Sequence, residues 1–306
     1  MKGILLVNMG SPSSQKEMRE FLFNMFSDKA ILPLPFVLRK FLAFVISTTR
    51  YKNSWKKYEL IGGSPLIGSM AAMNTSLSKM LGANFDVFTA YSYSSPSIKN
   101  GIDYFAKKGI EQIKVLSMYP QTSITTTVSV KRDVDNARKK YSNLSISMVG
   151  AYYQEKQFIH FWTDLISETL TQKEYNNPTL LFSAHAIPAY LVEQGDSYVT
   201  EIEESARLIA KELNLPYKVS YQSKIGKLKW VGPDTMALME QMKAEDYNEI
   251  VIVPISFINE NLETLYDLDT EIIPHAQTEL KIKQICRVHI PPVHPAIIES
   301  FKNIIS

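Results

Sequence analysis

Only one cysteine, Cys286, occurs in the 306 residues. Disulfides need pairs of thiols, and cysteine-cluster zinc or iron–sulfur sites need several, so a single chain can build neither. Charge of one sign is also scarce: 33 basic side chains against 31 acidic ones leave a net charge of +2. No surplus of Lys and Arg is available for a phosphate backbone, so no nucleic-acid partner is expected. Long apolar runs are missing too. The N-terminus has only Ile4-Leu5-Leu6-Val7 before Asn8 and Gly10, too short for a signal peptide. With the lone thiol, this favours a reducing, cytoplasmic location. Neither G-x-G-x-x-G nor G-x-x-x-x-G-K-[ST] occurs, so no nucleotide cofactor is expected. A G-x-S-x-G elbow and an H-E-x-x-H pair are absent as well, which argues against a hydrolase or a zincin.

What is present is a soluble-protein composition, 45% hydrophobic and 21% charged, long enough for one large or two ordinary domains. Short apolar runs alternate with helical patterns. The runs predict strands at Gly3–Val7, Phe85–Tyr91, Ile113–Met118, Ile146–Gly150, Thr179–Ser183, Lys218–Gln222, Ile250–Pro254 and Cys286–Ile290. Amphipathic stretches between them predict helices at Lys16–Phe26, Ala71–Leu81, Ser129–Lys140, Phe158–Thr171 and Glu201–Leu213. Continuously apolar strands separated by such helices indicate parallel sheets covered on both faces. The expected fold class is α/β, with two lobes of four parallel strands each, residues 1–150 and 151–306. The final helix, around Ala296–Ile305, is free to pack on either lobe. In each half the first three strands run into polar, turn-rich loops. Ligands of open α/β sheets bind beyond the carboxyl ends of the strands, so a central cleft lined by these loops is where a site is expected.

The most apolar stretch is Ile31–Ile46, divided by Arg39 and Lys40 and broken by Pro33 and Pro35. It cannot span a bilayer as one helix. Two readings stand: a buried helix pair, or an exposed apolar lip that contacts a membrane surface or an apolar ligand.

Three constellations carry chemistry. His185 follows a predicted strand, at a strand-to-loop junction, where neutral imidazole would accept a proton or ligate a metal near pH 7. A histidine in such a place also often has a purely structural role. His160, His275, His289 and His294 lie away from the strand-end loops. The acidic run 259–271 places Glu263, Asp267 and Glu271 four residues apart, on one face if the segment is helical, with Asp269 elsewhere. It is either a solvated face or a row that passes hard or borderline cations, or protons, along a helix. The loop 221–233 gathers Lys224, Lys227, Lys229 and Trp230. Either it holds a flat acidic ligand by stacking and charge, or Trp230 merely anchors an exposed loop.

Taken together these stretches resemble the ferrochelatase family, which inserts ferrous iron into porphyrins. The resemblance covers nearly the whole chain in order: residues 4–12 (ILLVNMGSP), 58–65 (YELIGGSP), 119–127 (YPQTSITTT), 182–188 (FSAHAIP), 221–233, and 254–271 (PISFINENLETLYDLDTE). It implies two Rossmann-like, chelatase-type lobes around a central porphyrin cleft, with ferrous iron and porphyrin as substrates. It also implies a cluster-free member, because family iron–sulfur centres use a C-terminal cysteine cluster that this chain lacks.

Carried over by position, the resemblance makes His185 and Glu263 the catalytic pair. His185, Glu263, Asp267 and Glu271 become the metal-approach groups. Met9, Tyr119, Gln121, Ser123, Lys224, Trp230 and Phe257 become porphyrin contacts. A methionine at 9 is similar to the protoporphyrin-using branch, where the coproporphyrin-using branch commonly has tyrosine. Two departures stand out: Ser92 replaces the arginine of an A-x-R-Y-x-x-P motif, and Glu260-Asn261 replaces Asp-His. A chelatase for another tetrapyrrole and a porphyrin or haem carrier with little turnover are the alternatives. The family's pocket lip falls on 31–46, which adds peripheral contact with the inner face of a membrane to the expectations.

Overall fold

The computed structural model describes residues 1–224, 226 and 228–305. Lys227 therefore lies outside the described residues. The chain divides into two compact units, Met1–Ala151 with Phe301–Ser306, and Tyr152–Ser300.

The first unit runs β1 (Lys2–Asn8), α1 (Gln15–Phe26), α2 (Phe36–Leu60), α3 (Leu66–Leu81), β2 (Phe85–Tyr91), α4 (Ile98–Lys107), β3 (Gln112–Ser117), α5 (Thr127–Arg138) and β4 (Ser145–Met148). The strands form one parallel sheet in the order β2-β1-β3-β4. β1 is central, and Gly3 to Asn8 are all buried, as expected for a strand covered on both faces. Leu5, Val7, Val115, Ile102, Phe105 and Val130 are core residues between the sheet and α4–α5. The helix α4 starts on a reciprocal capping box between Ser97 and Asn100. It lies so close to the sheet that a Cβ at Gly101 would overlap Leu5 Cδ1. Gly10, at φ +87°, turns the chain out of β1 where a side chain would collide with Ser94 Oγ.

The segment 31–46 is not a buried helix pair. After a turn at 28–34 it enters one long helix, α2, whose Phe36, Val37, Phe41 and Phe44 are 65%, 78%, 61% and 52% exposed. Arg39 reaches back to the carbonyls of Ser27 (2.9 Å) and Leu34 (2.6 Å), so the charge that interrupts the apolar run ties down the preceding turn. No helix among the described residues is long and apolar enough to cross a membrane.

The second unit runs α6 (Lys156–Lys173), β5 (Thr179–His185), α7 (Ala189–Glu193), α8 (Tyr198–Leu213), β6 (Tyr217–Gln222), α9 (Thr235–Ala244), β7 (Glu249–Val253), a π-helix (Glu263–Ile272), α10 (Ile273–Thr278), β8 (Gln284–Arg287) and α11 (Pro295–Ile305). Its parallel sheet has the order β6-β5-β7-β8, the same pattern as the first. Leu181, Ile250 and Ile252 on the strands pack with Met239, Met242 and Leu268. The expected α/β class with two four-stranded parallel sheets is therefore what the chain forms. One element differs in kind: the acidic run is wound as a π-helix rather than an α-helix.

Candidate active site at the carboxyl ends of the second sheet

The central strand β5 is buried from Thr179 to Ala184, and His185 is its half-buried last residue. It sits in register with Gln222 at the end of β6. Its backbone N–H donates to Ser256 Oγ (3.1 Å) in the loop after β7, and the Phe257 ring stands edge-on at 6.4 Å. Burial pushes the imidazole below its ordinary pKa, against the pull of the Asp267 carboxylate. The ring is therefore neutral at pH 7 and able to take up a proton. Beneath it, Ser183 Oγ donates to Gln222 Oε1 (2.6 Å) and meets Thr235 Oγ1 (3.0 Å), which donates to Ser220 Oγ (3.0 Å). This satisfied buried network aims Gln222 Nε2 at the Glu263 carbonyl, 3.3 Å away.

The chain enters the π-helix through a reciprocal cap. Asn261 Oδ1 accepts from the Thr264 N–H, and Thr264 Oγ1 accepts from the Asn261 N–H, both at 3.0 Å. Bonding five residues back, as between the Ile273 N–H and Leu268 O, widens each turn. Residues four apart then fall slightly short of a full turn, where in an α-helix they overshoot it. Glu263, Asp267 and Glu271 thus still share one strip. Ser223 Oγ donates to Asp267 at 2.5 Å, fixing that carboxylate beside the end of β6. Exposure rises along the strip, from half-buried Glu263 and Asp267 to exposed Glu271, which bonds the Tyr266 hydroxyl. Among the described residues no group of three or more His, Cys, Asp and Glu side chains is gathered tightly enough to hold a metal ion. The acidic groups form a row, not a cage.

Asp269, on another side of the π-helix, forms a two-point pair with Arg287 at the end of β8 (2.9 and 2.7 Å). The same guanidinium, fully buried, donates to Glu260 at 2.8 Å. Burial pushes the Glu260 carboxyl up, but His289, Arg287, the Thr264 hydroxyl and the Ile290 N–H outweigh it and hold it at about 2. His289 thus stands beside the loop that opens the π-helix, closer to the site than its sequence position suggests. Sequence reasoning also missed Gln222, Ser256 and Arg287. For Arg287 a signal existed: a charged residue inside an otherwise apolar strand candidate.

The remaining expected porphyrin contacts fall in both units. Lys224 pairs with Asp234 (3.2 Å), the residue that caps α9. Trp230 forms a β-bridge with Pro188, and Val231 N donates to Ile187 O at 3.0 Å, so this loop is anchored to the segment that follows His185. In the first unit, Met9 is half-buried after β1, with its N–H on Asn8 Oδ1 (2.7 Å). Tyr119 packs against the sheet core. Gln121 and Ser123 are buried, and the Ser123 carbonyl and amide bond into the first turn of α5. Ser92 lines a cavity of about 340 Å³ with Tyr91, Lys99, Asp133, Asn136 and Lys140.

Paired parallel sheets with chemistry at their carboxyl ends define a chelatase-type fold. Two solved structures share it: SirB from Bacillus subtilis with Fe3+ (TM-score 0.56, 14% identity, covering 100% of this chain and 94% of that one) and CbiX, the terminal enzyme of sirohaem biosynthesis in denitrifying bacteria (TM-score 0.56, 10% identity, 100% of both chains). At such identities the likeness concerns the fold alone. The family is given by sequence. Residues 1–306 match the Ferrochelatase family model. Curated ferrochelatases include those of Rickettsia bellii, 40% identical over 88% of this chain and 76% of the relative, and Aquifex aeolicus, 32% identical over 99% and 98%. A third, from Gloeothece citriformis, is 36% identical over 99% of this chain and 81% of its own length. The chain belongs to the ferrochelatase family.

Proposed function

We propose that this protein inserts ferrous iron into protoporphyrin IX, giving protohaem in haem biosynthesis. The observation that carries the reading is His185 at the end of the central strand, its imidazole held below the ordinary pKa by burial and acted on by the Asp267 carboxylate of an acidic strip whose exposure rises to Glu271. Metallation replaces two pyrrole protons by Fe2+, so each turnover needs a proton acceptor and a path for cation and protons. His185 and Glu263 accept the pyrrole protons, and Asp267 and Glu271 pass charge to and from solvent. Carboxylate oxygens suit this because they bind a divalent ion loosely enough to release it. A planar macrocycle presents its nitrogens poorly, so the protein holds it bent, at a strain of about 1–5 kcal/mol offset by binding elsewhere on the ring. Phe257 beside His185 offers an apolar surface for that ring. Met9 supports protoporphyrin over coproporphyrin.

The test is an anaerobic assay with ferrous iron and several porphyrins, followed by visible spectra. The His185→Ala variant is expected to lose about 10²–10⁴-fold in rate while still binding porphyrin. Wild-type rates in that variant would sink the assignment. Porphyrin binding by the wild type without metal insertion would favour a carrier. The exposed apolar face of α2, followed by Arg50, Lys52, Lys56 and Lys57, supports peripheral attachment to an anionic membrane surface.

A further inference from the structure

We propose that Arg287 is a positioning residue for metal insertion: it locks the π-helix in the rotation that turns Glu263 and Asp267 toward the end of β6 beside His185. This rests on the metal-insertion reading above. A π-helix of this length is uncommon, and its own backbone bonds do not choose which side faces the sheet. The choice comes from outside the helix. On one side Gln222 holds the Glu263 carbonyl and Ser223 holds the Asp267 carboxylate. On the other, the Arg287 fork grips both oxygens of Asp269, and its remaining nitrogen reaches Glu260 in the entry loop and the carbonyl of Val288 (3.0 Å).

One buried side chain on β8 therefore pins the helix both before its start and in its middle. Asp267 and Asp269 are two residues apart, so a rotation that loosened Asp269 would carry Asp267 away from Ser223 as well. Asp269 and Glu260 are both held by this one guanidinium. A lysine would not replace it, because an ammonium cannot bridge two carboxylates with a planar fork.

The experiment uses the full-length protein with Arg287→Lys, Arg287→Met and Arg287→Ala, with iron and porphyrin varied separately under anaerobic conditions. We expect kcat/KM for iron to fall at least about tenfold, as displaced reacting groups lose rate steeply. The porphyrin dissociation constant, read by fluorescence quenching, should stay within about twofold of wild type. Guanidinium ion should restore part of the iron-dependent rate to Arg287→Ala but none to Asp269→Ala, which lacks the acceptor. A folded Arg287→Met protein with wild-type kcat/KM for iron would overturn the proposal. So would equal losses toward both substrates with no guanidinium rescue, which would mark the residue as structural only. If Arg287→Met does not fold, Arg287→Lys and the rescue decide by the same criteria. If the wild type metallates no porphyrin, the insertion reading fails by itself, and Co2+ titration by calorimetry then judges the positioning. Weakening by about tenfold in the variants supports it, and unchanged affinity overturns it.

Discussion

His185 is the residue on whose protonation state the proposed reaction depends. Burial lowers its pKa, and the Asp267 carboxylate only partly opposes this. The neutral, proton-accepting form therefore dominates above a pKa that lies below the ordinary value of about 6.5. Metallation rate is expected to be flat near neutrality and to fall as pH drops through that lowered pKa. The measurement is a pH–rate profile with its acid limb below 6.5; in Asp267→Leu the limb should move further down, because the carboxylate that raises the imidazole pKa is gone, and an unmoved limb would show that the carboxylate does not act on His185. The same shift makes folding stability rise with pH across the interval between the lowered pKa and 6.5, because there the unfolded chain binds the extra proton. At this scale the sequence was informative for His185, which its strand-end position singled out. It was silent on Ser256 and Gln222, whose roles arise only when three strands are laid side by side.

The π-helix shows what patterning at the level of an element conveys and what it hides. Carboxylates four residues apart with leucines between them read as a helix with an acidic face, and the face is there. Whether the turn closes on the fourth or the fifth residue leaves no mark in such a pattern, so the helix type was not legible. The clamp was equally hidden, since Arg287, Asp269 and Glu260 come together only through the pairing of β7 with β8. Glu260 gives this clamp a measurable signature. Its folded pKa of about 2 lies below the ordinary 4.5, so it contributes stability that is fully present above 4.5 and is lost as pH falls toward 2. Near pH 6 Glu260→Gln is expected to be less stable than wild type by on the order of 3 kcal/mol. Urea unfolding at a series of pH values should show that difference shrinking between pH 4.5 and pH 2.

For the molecule as a whole, the order of strands and helices was the most legible feature. Buried strands such as β1 are continuously apolar, and the first-sheet and second-sheet patterns repeat. The single helix α2 was not legible, because its prolines precede it and its charged residues interrupt the apolar run. With Phe36, Phe41 and Phe44 exposed, this helix presents apolar rings beside basic side chains. Replacing those three by serine is expected to reduce co-sedimentation with anionic liposomes while leaving metallation of a water-dispersed porphyrin unchanged; equal sedimentation of both proteins would remove the membrane contact from the function. The helix α11 has a different consequence. It starts within the second unit, yet Phe301–Ser306 count with the first, where the Lys114 ammonium donates to the Ile305 carbonyl and Phe301 is fully buried. On the ribosome, then, the unit begun first is finished only after the second unit has been made. Its sheet is complete early, but the last turn of its covering follows the second unit in the chain, so the nascent chain carries an unfinished apolar surface through the whole synthesis of the second unit.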